Sequence, residues 1–130
     1  FLSTERSFQV GSRKLLAQQE AALLATNLGR RIHNGAGFMI YQLPDRGSPA
    51  DSGTGLALYD GAGLVTGRFE WNAAQQTLVD STGTRVTSMK LQDVKFRRDP
   101  THPLAVAYRF RVDDERGNFV DIQSAAALRN

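Results

Sequence analysis

The sequence predicts an α+β fold, a long N-terminal helix packed on an antiparallel β-sheet. Two observations carry this expectation. Residues 12–33, SRKLLAQQEAALLATNLGRRIH, are rich in Ala, Leu, Gln and Arg, all good helix formers, and no proline occurs before Pro44. After Gly37 the apolar pattern changes to period two, and short polar connections favour antiparallel pairing of neighbouring strands.

The helix is expected over residues 1–34. Asn34-Gly35 supplies a stop, and Arg30 and Arg31 place positive charge in the last turns. At about 100° per residue, Val10, Ala17, Ala21, Leu24, Leu28 and Ile32 form one stripe. Phe1, Phe8, Leu15 and Ala22 recur every seventh residue and form a second stripe on roughly the opposite side. One stripe suffices to lay a helix on a sheet. The second is expected to meet another subunit, because little chain remains to cover it. The alternative is a helix buried on both sides within its own domain.

The strands follow in order. Residues 38–43 form a short apolar strand. Residues 44–54, PDRGSPADSGT, read as a loop dense in Pro, Gly, Ser and Asp. Residues 56–59 form a second strand closed by Asp60-Gly61, and residues 64–71 a third. Asn72–Gln76 turns the chain into Thr77–Asp80 as a hairpin, and residues 81–83 turn it again. Residues 84–97 hold one or two strands, and DPTHP at 99–103 breaks the pattern. Residues 104–112 alternate most clearly, with Leu104, Val106, Tyr108, Phe110 and Val112 on one face and Ala105, Ala107, Arg109 and Arg111 on the other. DDERGN at 113–118 is a hairpin turn, and residues 119–128 return. The 130 residues are read as one domain, with the helix at 1–34 and the sheet at 35–130.

Composition excludes several chemistries. There is no cysteine, which removes disulfides, thiolate zinc sites and cysteine nucleophiles. The formal charge of +3 sits in residues 1–34, where five basic residues meet two acidic ones, while residues 35–130 carry eleven of each. The basic pI is therefore a weak pointer to polyanions. No run reaches the roughly 18 apolar residues of a membrane helix.

No catalytic or metal constellation emerges. His33 and His102 lie at an element end and in a proline-flanked loop, without ligand spacing. Asp113, Asp114 and Glu115 read as a solvated turn rather than a calcium loop. Gly53, Gly55, Gly61 and Gly63 do not follow a strand and then open a helix, as a phosphate cradle requires, so turn chemistry is the expected explanation. Ser81 and Ser124 lack a nucleophile-elbow context. Neither cofactor nor metal is expected. The best chemical candidate is a basic patch of Lys95, Arg97, Arg98, Arg109 and Arg111 that could contact nucleic acid. Interleaved Asp93, Asp99 and Asp113 argue instead for a solvated sheet face, and the aromatic residues point inward.

Several stretches resemble the soluble domain of type IV pilin-like proteins, the minor pilins and the minor pseudopilins of type II secretion. They are LLAQQEAALLATNLGRRIHNGAGF (15–38), GRFEWNAAQQTLV (67–79), VKFRRD (94–99), LAVAYRFRV (104–112) and the ending DIQSAAALRN (121–130). Phe1 and Glu5 match the first and fifth positions of mature pilins by residue type. Polar residues from Arg6 onward stand where that family carries about twenty apolar ones, so this match is read as accidental. The membrane half of the helix is expected to be missing ahead of Phe1.

The resemblance implies a non-enzymatic structural subunit anchored in the inner membrane with a periplasmic domain, or a cell-surface filament component. Its partners would be other minor pilins or pseudopilins in a priming or tip complex. Phe1, Phe8, Leu15 and Ala22 would form the subunit interface. The alternatives are a DNA-binding minor pilin used in DNA uptake, and an unrelated small ligand-binding or enzymatic α+β domain.

Overall fold

The computed structural model describes residues 2–87, 89–113, 116–117 and 119–129, with side chains from residue 15 onward. The elements run α1 (Leu2–Asn34), β1 (Gly37–Tyr41), β2 (Ser52–Gly53), β3 (Gly55–Tyr59), β4 (Val65–Asn72), β5 (Thr77–Asp80), β6 (Lys90–Arg98), β7 (Ala105–Asp113) and β8 (Phe119–Ala127). They build two four-stranded antiparallel sheets, ordered β1-β3-β4-β5 and β2-β6-β7-β8.

This corrects the expected α+β fold of one long helix packed on one antiparallel sheet. The chain is mostly β, and its strands divide between two sheets rather than forming one meander. The division happens inside the stretch read as a loop. After β1 the chain runs out, returns as the two-residue β2 against β6, and within one residue, Thr54, enters β3 beside β1. Loop hydrogen bonds hold the seam: Ala50 N donates to Ile40 O, Arg98 N to Asp51 O and Trp71 N to Thr54 O.

Glycine makes the switch sterically feasible. Gly53 and Gly55 are both buried against Tyr41. A Cβ on Gly53 would meet the Tyr41 carbonyl and the Gln42 nitrogen, and one on Gly55 would meet the Tyr41 ring. Close approach therefore explains these two positions, not the turn chemistry expected for them. Turn chemistry does hold at Gly63 (φ 80°) and Gly83 (φ 81°). Each closes a turn in which an aspartate carboxylate, Asp60 or Asp80, accepts from the backbone nitrogens two and four residues on.

Both sheets and the helix share one core. On α1, Ala17, Ala21, Leu24, Leu28 and Ile32 are buried, five members of the first predicted stripe. The side chain of Val10, the sixth, lies outside the described residues. These positions pack with Ile40, Leu56, Leu58, Phe69 and Leu78 of the first sheet and Val94, Phe96, Val106, Tyr108, Phe110 and Val112 of the second. The alternation expected in residues 104–112 places Arg109 and Arg111 outward. Leu104 departs from it and is exposed.

Polar bonds fix the helix on the second sheet. Tyr108 OH donates to Ala25 O at 2.8 Å, where Gly29 leaves room for the phenol. Thr87 OH donates to Glu20 at 2.5 Å. The C-terminal stretch closes the helix end: Arg129 N donates to His33 O, and Leu128 is buried beside Gly35. No helix among the described residues is long and apolar enough to cross a membrane.

Candidate functional site

Two surfaces carry functional potential, and they lie on different elements. The first is the outer face of α1. Leu15, Leu16 and Leu23 are 53%, 52% and 61% exposed, opposite the buried stripe. Ala22 is exposed on the same side. Leu15 and Ala22 therefore stand uncovered by this chain, which removes the reading of a helix buried on both sides for these positions. Phe1 and the side chain of Phe8 lie outside the described residues. Leu16 and Leu23 were missed by the seven-residue spacing, although at 3.6 residues per turn they widen the Leu15 stripe.

The second is the solvent face of the sheet β2-β6-β7-β8. Strand register places Lys95 opposite Arg109, with Gln123 beyond, and places Arg97 between Ser52 and Ala107, with Ala125 beyond. These residues line a depression of about 550 Å³. Of the predicted basic patch, Lys95, Arg97 and Arg109 are brought together here. Arg111 lies one row along and is engaged by Asp121 at 2.6 and 3.2 Å and by the Phe119 ring at 5.3 Å. Arg98 is placed apart, with its guanidinium 4.5 Å from the Phe38 ring centroid and Nη1 donating to Pro103 O. Tyr108 contributes no exposed ring, since it is buried and its hydroxyl is bonded to the helix.

Among the described residues, a strongly perturbed titratable group belongs to neither surface. Tyr41 is buried, and its phenol pKa is pushed up to about 12 by that burial and by the hydrogen bond to Glu70 at 2.7 Å. Glu70 also accepts both nitrogens of a forked contact from Arg46, at 2.6 and 3.0 Å. The Arg46 bonds, then the Tyr41 hydroxyl, hold its carboxyl below the ordinary value of 4.5. This cluster ties the loop after β1 to β4 and reads as structural.

Its pH dependence follows. A folded-state pKa below the ordinary one gives stabilisation that is present above pH 4.5 and lost as pH falls through the folded value. Glu70→Gln is expected to lower the thermal midpoint at pH 7, with the gap to the parent closing below pH 4.5. Tyr41→Phe is expected to cost roughly 1–2 kcal/mol at pH 7. Melting curves from pH 3 to 8 measure both. A gap that stays constant with pH would remove the electrostatic account.

Among the described residues, no group of three or more His, Asp or Glu side chains is placed to hold a metal ion. His33 bonds Ala127 O at 3.3 Å, and His102 sits in the loop before β7. No family model, curated relative or solved structure matches the chain.

Proposed function

We propose that the protein is a non-enzymatic structural subunit of a type IV pilus-like filament or type II secretion pseudopilus. It acts at the inner membrane with its domain in the periplasm, beside other minor pilins or pseudopilins. The observation that supports this is the division of α1 into two faces. One holds Ala17, Ala21, Leu24, Leu28 and Ile32 against the sheets, and the other presents Leu15, Leu16 and Leu23 to solvent. Exposed apolar side chains gathered on one side of a helix are the kind of surface that protein contacts use. The two-sheet architecture departs from the single sheet that the sequence resemblance implies. Support comes instead from the helix face and from residues 15–38, 67–79, 94–99, 104–112 and 121–130, whose sequence resembles that family.

A Leu16→Ser, Leu23→Ser double variant tests it. Both side chains face solvent, so stability should change by less than about 0.5 kcal/mol per site. Assembly with sister subunits, followed by co-purification from the native cell envelope, should be lost. A variant that assembles as the parent does would remove the helix face from the proposal.

A further inference from the structure

The rows of the solvent face β2-β6-β7-β8 are charged differently. One row reads Asp93, Arg111, Asp121, so a cation stands between two carboxylates. A solvated sheet face commonly alternates sign in this way. The neighbouring row does not. Lys95 stands directly opposite Arg109, a like-charge pairing that destabilises a sheet. Arg97 adds a third cation one pleat away.

Little neutralises this cluster. Lys95 and Arg97 have no ion-pair partner among the described residues, and Arg109 has a loose contact with Asp93 at 3.8 Å. The floor beneath is small: Ala107, Ala125 and Ser52 leave open the volume of about 550 Å³ that larger side chains would fill. Among the described residues no carboxylate lines it.

We propose that this depression is a binding site for a phosphate-type dianion carried on a larger molecule, held by Lys95, Arg97 and Arg109 over the floor of Ala107 and Ala125. Charge and size select this class. Three cations less the partly engaged Asp93 leave about two positive charges, which a dianion balances and a monocarboxylate does not. The guanidinium forks of Arg97 and Arg109 match phosphate oxygens bidentately, and Lys95 adds a mobile point charge. The volume lies in the range of small-molecule sites, roughly 300–1,000 Å³, and exceeds a lone phosphate. Gln123 and Ser52 supply neutral hydrogen-bonding groups at opposite ends for the carrier. The site lies on a different element from the helix face and stands independently of the filament proposal.

Titration of the protein with inorganic pyrophosphate at low salt, in mildly acidic buffer where it is chiefly the dianion, read by backbone amide chemical shifts, tests this. Shifts are expected at residues 95–97 and 107–109, and added salt should weaken binding steeply. Lys95→Gln with Arg97→Gln should weaken it about tenfold or more, and Arg109→Gln similarly, each with a melting midpoint no lower than the parent's, because each removes one partner of the like-charge pair. Arg30→Gln, on the exposed part of the helix, should stay within about twofold. A nucleoside diphosphate run in parallel distinguishes the source. Tighter binding than pyrophosphate identifies a nucleotide carrier, and equal binding a bare phosphate group, with the site upheld in both cases. Absence of shifts at these strands up to about 10 mM pyrophosphate, or an equal loss with Arg30→Gln, overturns it. So does binding of a single-stranded oligonucleotide without pyrophosphate binding, which would mark an extended polyanion surface instead.

Discussion

Gly53→Ala is expected to destabilise the protein by roughly 3–5 kcal/mol, a large part of the stability of a domain this size. The added methyl would overlap the Tyr41 carbonyl, with the Gln42 nitrogen 2.9 Å away. Every one of these atoms is backbone, so no rotamer change relieves the clash. Relief requires β2 to leave β6 or Tyr41 to leave its place beneath the crossover. Moving Tyr41 would also disturb its ring against Gly55 and its hydroxyl on Glu70. Trp71, the chain's single tryptophan, reports on the same seam through Trp71 N on Thr54 O and Nε1 on Leu91 O. Denaturant titration followed by its fluorescence measures the loss. Gly63→Ala provides the contrast. There φ is 80° but the space is open, so about 1–2 kcal/mol of backbone strain is the whole cost. Equal effects at the two glycines would contradict the crossover account.

Leu28→Ala should cost about 3 kcal/mol, within the 2–5 kcal/mol range for truncating a buried leucine. Leu28 is 1% exposed on the face of α1 that joins both sheets, and its neighbours Leu24 and Ile32 are equally enclosed. The sheets are held in register by their own ladders, so the core cannot easily collapse onto the vacated volume. Leu23→Ala, five residues earlier and 61% exposed, should change stability by less than about 0.5 kcal/mol. The contrast matters for function. A leucine that contributes nothing to the isolated domain is free to serve a contact with another molecule. Chemical denaturation of both variants separates the faces, and a large loss for Leu23→Ala would show that the domain itself uses that side.

Local features of this fold were legible because they depend on local rules. The 3.6-residue repeat identified Ala17, Ala21, Leu24, Leu28 and Ile32 as the inner helix face. Period-two alternation located β7 and its outward Arg109 and Arg111. The strand Thr77–Asp80 was read with the bounds observed. The sheet partition was hidden because it is a non-local fact. Two residues, Ser52 and Gly53, pair with β6 more than forty positions away, inside a segment whose composition signals only a loop. The signal available was the Gly-x-Gly at 53–55, read as turn chemistry, whereas burial against Tyr41 is what requires it. The basic patch was half legible. Sequence named its five cations, but only strand register shows that Lys95, Arg97 and Arg109 share a depression while Arg98 and Arg111 have other partners.

The filament proposal is tested most directly by site-specific photo-crosslinking from position 23 in the cell that makes the protein. The account predicts an adduct with a neighbouring subunit, mapped by mass spectrometry to that subunit's own amphipathic helix, while a crosslinker at buried position 28 yields none. An assembled, functional envelope in which position 23 gives no intermolecular adduct would contradict it.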